Sequence, residues 1–595
     1  MNNEGLTPRL LNRVSSPSRY TGGEFNSIKK NWETAPVKMV MIYPDLYEIG
    51  MSNSGHLLLY YLINETTPYL IERTYAPYFD LEEILRKEKI PLFSLESRQP
   101  LNKFDIIGFS LQYELTFTNV LNILDLGGIP LLQKDRSEND PLIIGGGPVA
   151  SYPESMAPFF DLFFVGEAEE GLLEILNKIT SLKSKQTSRQ DILLELTSIE
   201  GVYVPSLYEE KYSQEGVSLG LEPVNGYTGI PRIINRRIIK DLECAYFPLK
   251  QMVPFKAPVH DRAVVELFRG CYRGCRFCLA GYLYRPVRFR SLPLLQEQSS
   301  KIIENTGFDT LGLTSFNSSD YPNLKELILF LKKSYGDKLT LSLPSLGMRA
   351  SSVELACISD KRRTNLTFAP EAASERLRKV INKNLTEEEI FNTVKETAKQ
   401  GMDLLKLYFM VGLPTEREED VQAIVSLVKE LHKTANAHRT SKRPFHLNIT
   451  VSPFIPKPHT PFEREKQLSI KDCYEKIGYL KSQLREPLFT LREHDPLMSF
   501  LEGVFGRGGR NLHRVILSAF RKGARFDAWE EHLKINYYQQ AFVEEEIDPL
   551  SYLEEKEGPL PWGVINCGLS AELLKRERDK AFREEESDAS LFTDI

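Results

Sequence analysis

The alternation of apolar and polar positions divides the chain into two stretches with the same rhythm. From Val37 onward, short apolar runs recur: VKMVMIYP, then FDIIGFS from Phe104, PLIIGGG from Pro141 and FDLFFVGE from Phe160. Their length and β-branched content suit strands buried on both faces. Between them lie stretches with helical spacing, such as GHLLLYYLI and LTFTNVLNILDL. Strands alternating with helices predict a parallel, doubly wound (Rossmann-like) α/β sheet, whose ligands sit beyond the carboxyl ends of the strands. The polar and glycine residues of this half collect at those ends.

From Ser181 to Arg189 the sequence turns polar and Ser/Lys-rich, which predicts a surface loop, and a mixed connector follows to about Pro258. A second alternation then begins: AVVELFRGC, DTLGLTS, LTLSLPS, RTNLTFAPE, LLKLYFMVGLP and HLNITVSPF, separated by helical patterns. Six strand–helix units predict a partial (β/α)6 barrel with its strand ends facing one open mouth. Beyond about Gln467 the pattern is mainly helical and charged, turning acidic at AFVEEEIDP. The predicted organisation is an N-terminal arm (1–30), a doubly wound domain (31–225), a linker (226–258), a barrel core (259–466) and a C-terminal helical region (467–595).

Composition changes this picture little. Hydrophobic residues make up 42% and charged residues 26% of the chain, as in soluble globular proteins, and 595 residues are too many for one core. A net charge of −6 gives no global pull toward nucleic acid. The N-terminal MNNEGLTPRLLNRV lacks the apolar core of a signal peptide and no run reaches membrane-spanning length, so a cytoplasmic protein without membrane contact is expected. Seven scattered cysteines do not form a disulfide framework.

Three of those seven fall together in GCYRGCRFCLAG. Cys271, Cys275 and Cys278 have the spacing C-x3-C-x2-C and leave the end of the first barrel strand. Thiolates are the protein ligands of iron–sulfur clusters. Three on one loop can hold three irons of a four-iron cube, and an open position distinguishes a catalytic metal site from a closed one. The alternative is a zinc knuckle with His260 or Cys244 as fourth ligand. Zinc sites usually pair C-x2-C twice, and no second pair exists here.

With Phe277 before the last cysteine and a six-unit barrel around it, this pattern resembles the radical SAM signature. The resemblance implies a [4Fe–4S] cluster whose open iron binds S-adenosyl-L-methionine, which is reductively cleaved to methionine and a 5′-deoxyadenosyl radical. It also implies cofactor contacts at other strand ends: Phe277, Thr314 and Ser315 near the cluster and the methionyl amine, Glu371 and Ser374 near the sulfonium or ribose, and Gly412 beside the adenine. On the residues alone, Ser374 reads equally as a helix N-cap and Glu371 as a helix-start carboxylate. His459, in FIPKPHTPFE, reads as a substrate contact or a structural turn.

The first half resembles cobalamin-binding domains. PDLYEIGMSNSGH places Asp45, Tyr47 and Gly50 in the register of D-x-H-x-x-G, with tyrosine where the cobalt-ligating histidine would stand; a phenol of pKa near 10 is a poor substitute. Ser110 resembles the strand end bordering the nucleotide tail, and Gly145 and Gly146 the glycine pair that admits it. Two options follow: cobalamin with no protein ligand below cobalt, or a scaffold kept without it. The chain as a whole resembles a bacterial family joining a cobalamin-binding-like domain to this barrel. That implies a radical SAM enzyme fed by a reductant such as flavodoxin or ferredoxin, with cobalamin-assisted methyl transfer to an unknown substrate as one form. The alternatives are a radical SAM enzyme without cobalamin, a methylthiotransferase-like RNA modifier, and an iron–sulfur sensor without turnover. The RNA modifier usually needs a second three-cysteine site, whereas residues 1–240 contain no cysteine. The C-terminal SDASLFTDI, with only Cys567 nearby, carries no expected second metal site.

Overall fold

A computed structural model describes residues 8–212, 218–359 and 366–585. The first half is a six-stranded sheet of order β2-β1-β3-β4-β5-β6. Its strands are β1 (Lys38–Tyr43), β2 (Leu70–Tyr75), β3 (Ile106–Ser110), β4 (Leu142–Gly146), β5 (Leu162–Phe164) and β6 (Val202–Tyr203). The first five run parallel and β6 is antiparallel to β5. β1 and β2 are buried almost throughout, as expected where crossover helices cover both faces. Chain order reverses between β1 and β3, so a crevice opens at their carboxyl ends.

One predicted loop is corrected here. The helix Ala168–Ser184 runs into the polar segment as far as Ser184, leaving only residues 185–188 as a turn before the helix Arg189–Leu196, whose N-cap Ser188 accepts from the Asp191 amide. Leu172, Ile175, Leu176 and Ile179 are buried along one stripe. Lysine and serine on the opposite face of such a stripe are solvated without breaking the helix.

The second half is an open trough of two parallel sheets. Three strands (Ala263–Glu266, Thr310–Thr314, Thr340–Ser342) form one and four (Leu366–Glu371, Leu404–Val411, His446–Pro453, Phe489–Glu493) the other. Among the described residues no ladder joins the two sheets. Residues 363–365, predicted to open the fourth strand, lie outside the described residues. The predicted core boundary at 466 falls short: the helix Ile470–Gln483 crosses over to the strand Phe489–Glu493, which pairs with His446–Pro453. Leu405, Leu407, Phe409 and Val411 are buried against the outer helices. The intervening Lys406, Tyr408 and Met410 pair in register with Asn448, Thr450 and Ser452 and so form the trough wall, by the period-two rule for strands.

The C-terminal helices Pro496–Arg507, Leu512–Lys522 and Ile535–Glu544 pack into the first domain. Leu501, Val504, Phe505, Val515, Ile516 and Tyr538 share one continuous core with β1 to β6. Polar ties reinforce it: Trp529 Nε1 donates to Asp45 at 3.0 Å, the Phe526 amide to Asn119 at 2.8 Å, and Ser155 to the Phe505 carbonyl at 2.6 Å. The chain then returns to the linker, where Ile565–Asn566 pairs parallel with Ile234–Asn235. The helix Ala571–Phe582 finally lies against the helix Glu375–Val380. No helix among the described residues is long and apolar enough to cross a membrane.

Candidate functional site

The three clustered cysteines occupy the loop between the short strand Phe268–Arg269 and the helix Leu279–Leu283. Gly270 sets its entry with φ +96°, and a Cβ there would come within 2.6 Å of the Tyr284 carbonyl oxygen and 2.8 Å of that of Pro286. Only glycine lets the backbone close so tightly. Cys278 is the N-cap of the following helix, and its amide donates to the Cys275 carbonyl at 3.0 Å. The loop is tied to the trough by Asn382, whose amide donates to the carbonyls of Gly274 at 3.0 Å and Arg273 at 3.3 Å. Arg273 in turn pairs with Asp320.

All three cysteines are partly buried. Burial pushes each thiol above its ordinary value, Cys278 to about 12. Such thiols stay protonated until a bound metal replaces the proton. Among the described residues no three His, Cys, Asp or Glu side chains converge as ligands of a single ion. A four-iron cluster takes one thiolate per iron. Cys244 is exposed. The donor set therefore fits a cluster better than zinc.

Around the loop the other predicted residues divide. Phe277 and Met410 pack against the apolar cluster that includes Ala372, Leu377, Leu413 and Phe454. Thr314 donates to the Val265 carbonyl at 3.0 Å, and Ser315 Oγ lies 3.1 Å from Ser318 Oγ. Gly412 has φ +84°, and its amide donates to both carboxylate oxygens of Glu416 at 2.9 Å. Ser374 caps the helix Glu375–Val380, accepting from the Leu377 amide at 3.2 Å, and also bonds Asp420. Glu371, at φ +65°, lies 3.4 Å from Lys383. Burial raises the Glu371 carboxyl and Lys383 holds it back. Burial alone would lower Lys383, but the Glu371 carboxylate outweighs it, so the ammonium persists. Sequence reasoning missed Lys383, which had no motif of its own in VINKN.

A cavity of about 510 Å³ joins the two halves. Ser110, Gly145, Gly146 and Gly147 line it from the ends of β3 and β4, and Val264, Glu266, Thr314 and Ser315 from the first two barrel strands. A Cβ on Gly146 would meet nothing within 4 Å, so the backbone there is open to a ligand. Asp45, Tyr47 and Gly50 are absent from its lining. Tyr47 is 1% exposed and donates to Glu24 at 2.9 Å, Asp45 accepts from Trp529, and a Cβ on Gly50 would strike the Tyr75 ring. These three serve packing. His459 does too: its Nε2 lies 2.7 Å from the Ser151 carbonyl oxygen.

The cavity wall also holds an ion network that the sequence reading left unassigned. Glu167, after β5, takes a two-point bond from Arg288 at 2.7 and 2.8 Å and one from the Ile239 amide at 2.7 Å. Arg269 binds Glu169 at 2.8 Å and Glu266 at 3.1 Å. Burial alone would raise Glu167, but Arg288 and Arg269 hold it below the usual carboxylate range. Arg269 and Arg288 flank the cysteine loop in sequence, so the first domain grips the base of that loop. His56 also lines the cavity; its ring is buried, with no partner for either nitrogen.

Residues 265–428 match the family model described as the radical SAM superfamily, and residues 55–205 that of radical SAM proteins, N-terminal. Uncharacterized protein MJ0966 of Methanocaldococcus jannaschii is 28% identical over 492 residues, covering 81% of this chain and 91% of that protein. A tRNA-2-methylthio-N(6)-dimethylallyladenosine synthase of Azobacteroides pseudotrichonymphae is 23% identical over 47% of this chain, which spans 64% of that synthase. Among solved structures, the radical S-adenosylmethionine methyltransferase TsrM from Kitasatospora setae aligns with a TM-score of 0.46 at 14% identity, covering 73% of this chain and 78% of that one. The cobalamin-dependent S-adenosylmethionine radical enzyme OxsB aligns with a TM-score of 0.43 at 12% identity, covering 94% and 84%.

Proposed function

We propose that this chain, which belongs to the radical SAM superfamily, is an enzyme whose Cys271, Cys275 and Cys278 hold a [4Fe–4S] cluster for use with S-adenosylmethionine, with a corrinoid in the cavity between its halves. When bound, the cluster supplies an electron for cleavage of S-adenosylmethionine to a 5′-deoxyadenosyl radical, and the corrinoid supplies a methyl group.

The chain's own residues do the rest. Gly270 and Gly274, both at positive φ, fold the loop so that three thiols can face one cluster. Lys383 and Glu371 place a charge pair beside Cys275, suited to the amino and carboxylate groups of the cofactor's methionine. Ser110, Gly145 and Gly146 give a flat ligand backbone-close access from the other side. Lys406, Tyr408, Asn448 and Thr450 present hydrogen-bonding groups along the trough, suited to a polar substrate. The shared cavity carries this reading, because one chamber is bounded by the strand ends of both halves. A methylthiotransferase-type reaction fits less well, since the first half has no cysteine to hold a second cluster. Radical SAM enzymes need a reductant, and a flavodoxin or ferredoxin would serve.

The test is anaerobic purification, reconstitution with iron and sulfide, then addition of S-adenosylmethionine and dithionite with assay of 5′-deoxyadenosine. Wild type should give product and the Cys271/Cys275/Cys278→Ala triple variant none. Reconstituted protein that holds no iron would sink the reading. Hydroxocobalamin should co-elute with the wild type, and Gly146→Phe should abolish that co-elution while leaving iron content unchanged.

A further inference from the structure

Arg276 lies between two of the proposed ligands, and its side chain is 0% exposed. Its guanidinium is spent on two distant elements. Nη1 donates to the carbonyls of Lys379 and Val380, both at 2.9 Å, in the last turn of the helix Glu375–Val380. Nη2 donates to the Glu585 carbonyl at 2.9 Å, just past the helix Ala571–Phe582. Nε and Nη2 also approach Glu577 Oε2 at 3.3 and 3.2 Å, and that carboxylate is likewise 0% exposed. The Arg276 amide donates to the Ile381 carbonyl at 3.0 Å. The guanidinium's five donors in a rigid fork can reach three carbonyls and a carboxylate at once, whereas a lysine has three donors. Beside this pair Tyr282 packs with Leu574, and its hydroxyl donates to the Gly274 carbonyl at 3.1 Å. The cysteine loop is thus held by a helix whose Glu577 comes 301 residues later in the chain.

We propose that Glu577 is a positioning residue for the iron–sulfur cluster, acting through Arg276; this rests on the cluster reading above. Two consequences follow from its charge and its reach. Neutralising Glu577 removes one buried negative charge from between Arg276 and Lys580, and cluster potentials rise as the net charge nearby becomes more positive. Loosening Arg276 also frees the loop between Cys275 and Cys278, and loss of such supporting contacts weakens metal sites by roughly 10-fold or more.

The experiment compares reconstituted wild type, Glu577→Gln and Arg578→Ala by iron content, redox titration with EPR detection, and the rate of iron loss to a chelator. Arg578→Ala removes the contacts of the same helix to Glu465 and Glu555 without touching Arg276. Glu577→Gln should titrate at a less negative potential than wild type and lose iron roughly 10-fold faster, with Arg578→Ala at wild-type values. A Glu577→Gln protein matching wild type in both readouts overturns the proposal. So does an Arg578→Ala protein shifted equally, since that would reduce the effect to helix docking. If Glu577→Gln does not fold, Glu577→Asp is read instead: charge kept and reach shortened, it should keep the potential and lose iron faster, and wild-type iron loss overturns the proposal. Wild type that takes up no iron strikes the cluster reading itself, a distinguishable result.

Discussion

Gly270 shows how much can hang on one missing Cβ. Its φ of +96° and the two carbonyl oxygens facing it leave no room for alanine without moving backbone. Strain of this kind costs on the order of 1–3 kcal/mol, concentrated at the loop that carries the ligands. Gly270→Ala should therefore lower iron uptake far more than it changes the far-UV circular dichroism. Iron loading equal to wild type would show the turn to be pliable. Buried imidazoles make a second residue-scale prediction. Burial pushes His56 down to about 3 and His459 to about 4, against an ordinary 6.5. The unfolded chain then takes up protons first as pH falls. Stability from these groups is full above pH 6.5 and drains between 6.5 and 4 to 3. The urea midpoint should be lower at pH 5 than at pH 7.5, and His56→Leu should flatten that dependence. The cysteine spacing was legible in the sequence because it is local. His56 was not, because nothing in GHLLLYYLI says that its ring will lie unpaired between Tyr43 and Tyr75.

At the scale of elements, the strand-end residues matter through what they grip. Glu167 closes the apolar run FDLFFVGE, which the pattern marks as a strand, yet its partner Arg288 lies 121 residues away. Both side chains are under a tenth exposed. Removing one member of a buried, two-point pair costs about 3–5 kcal/mol, most of it from the charge left behind. Glu167→Gln should show a loss of that order in the urea midpoint, and Glu167→Gln/Arg288→Met should recover part of it. Full additivity of the two would argue against direct coupling. Periodicity also had limits here. It found the trough strands with long apolar runs but not Phe489–Glu493, where Thr490, Arg492 and Glu493 dilute the pattern of a strand that covers only one face. The polar stretch after Ser181 was read by composition, whereas the buried stripe upstream decided the helix. Ser374 caps the helix Glu375–Val380, as its N-cap reading expected, three residues past the strand Leu366–Glu371.

For the whole molecule, domain boundaries drawn along the chain do not coincide with those drawn in space. The sheet of the first half shares its core with Leu501, Phe505, Ile516 and Tyr538, and no local pattern announces such a return. A fragment spanning 31–225 should therefore be poorly soluble and lack a cooperative thermal transition. Co-expression with 467–595 should restore one. A fragment that melts cooperatively alone would show that the C-terminal helices are accessory.

That shared core has a bearing on biosynthesis. While the chain is still on the ribosome, part of the first domain's apolar core stays open until the C-terminal residues that complete it, Leu501, Phe505, Ile516 and Tyr538 among them, emerge. At roughly 5–20 residues per second the exposure lasts tens of seconds, long enough for chaperones to act and for aggregation to compete. The cysteine loop waits as well, because Glu577 and Glu585, which hold Arg276, lie near the C-terminal end of the described residues. Iron delivered during translation would meet a loop not yet braced, so cluster insertion belongs after release.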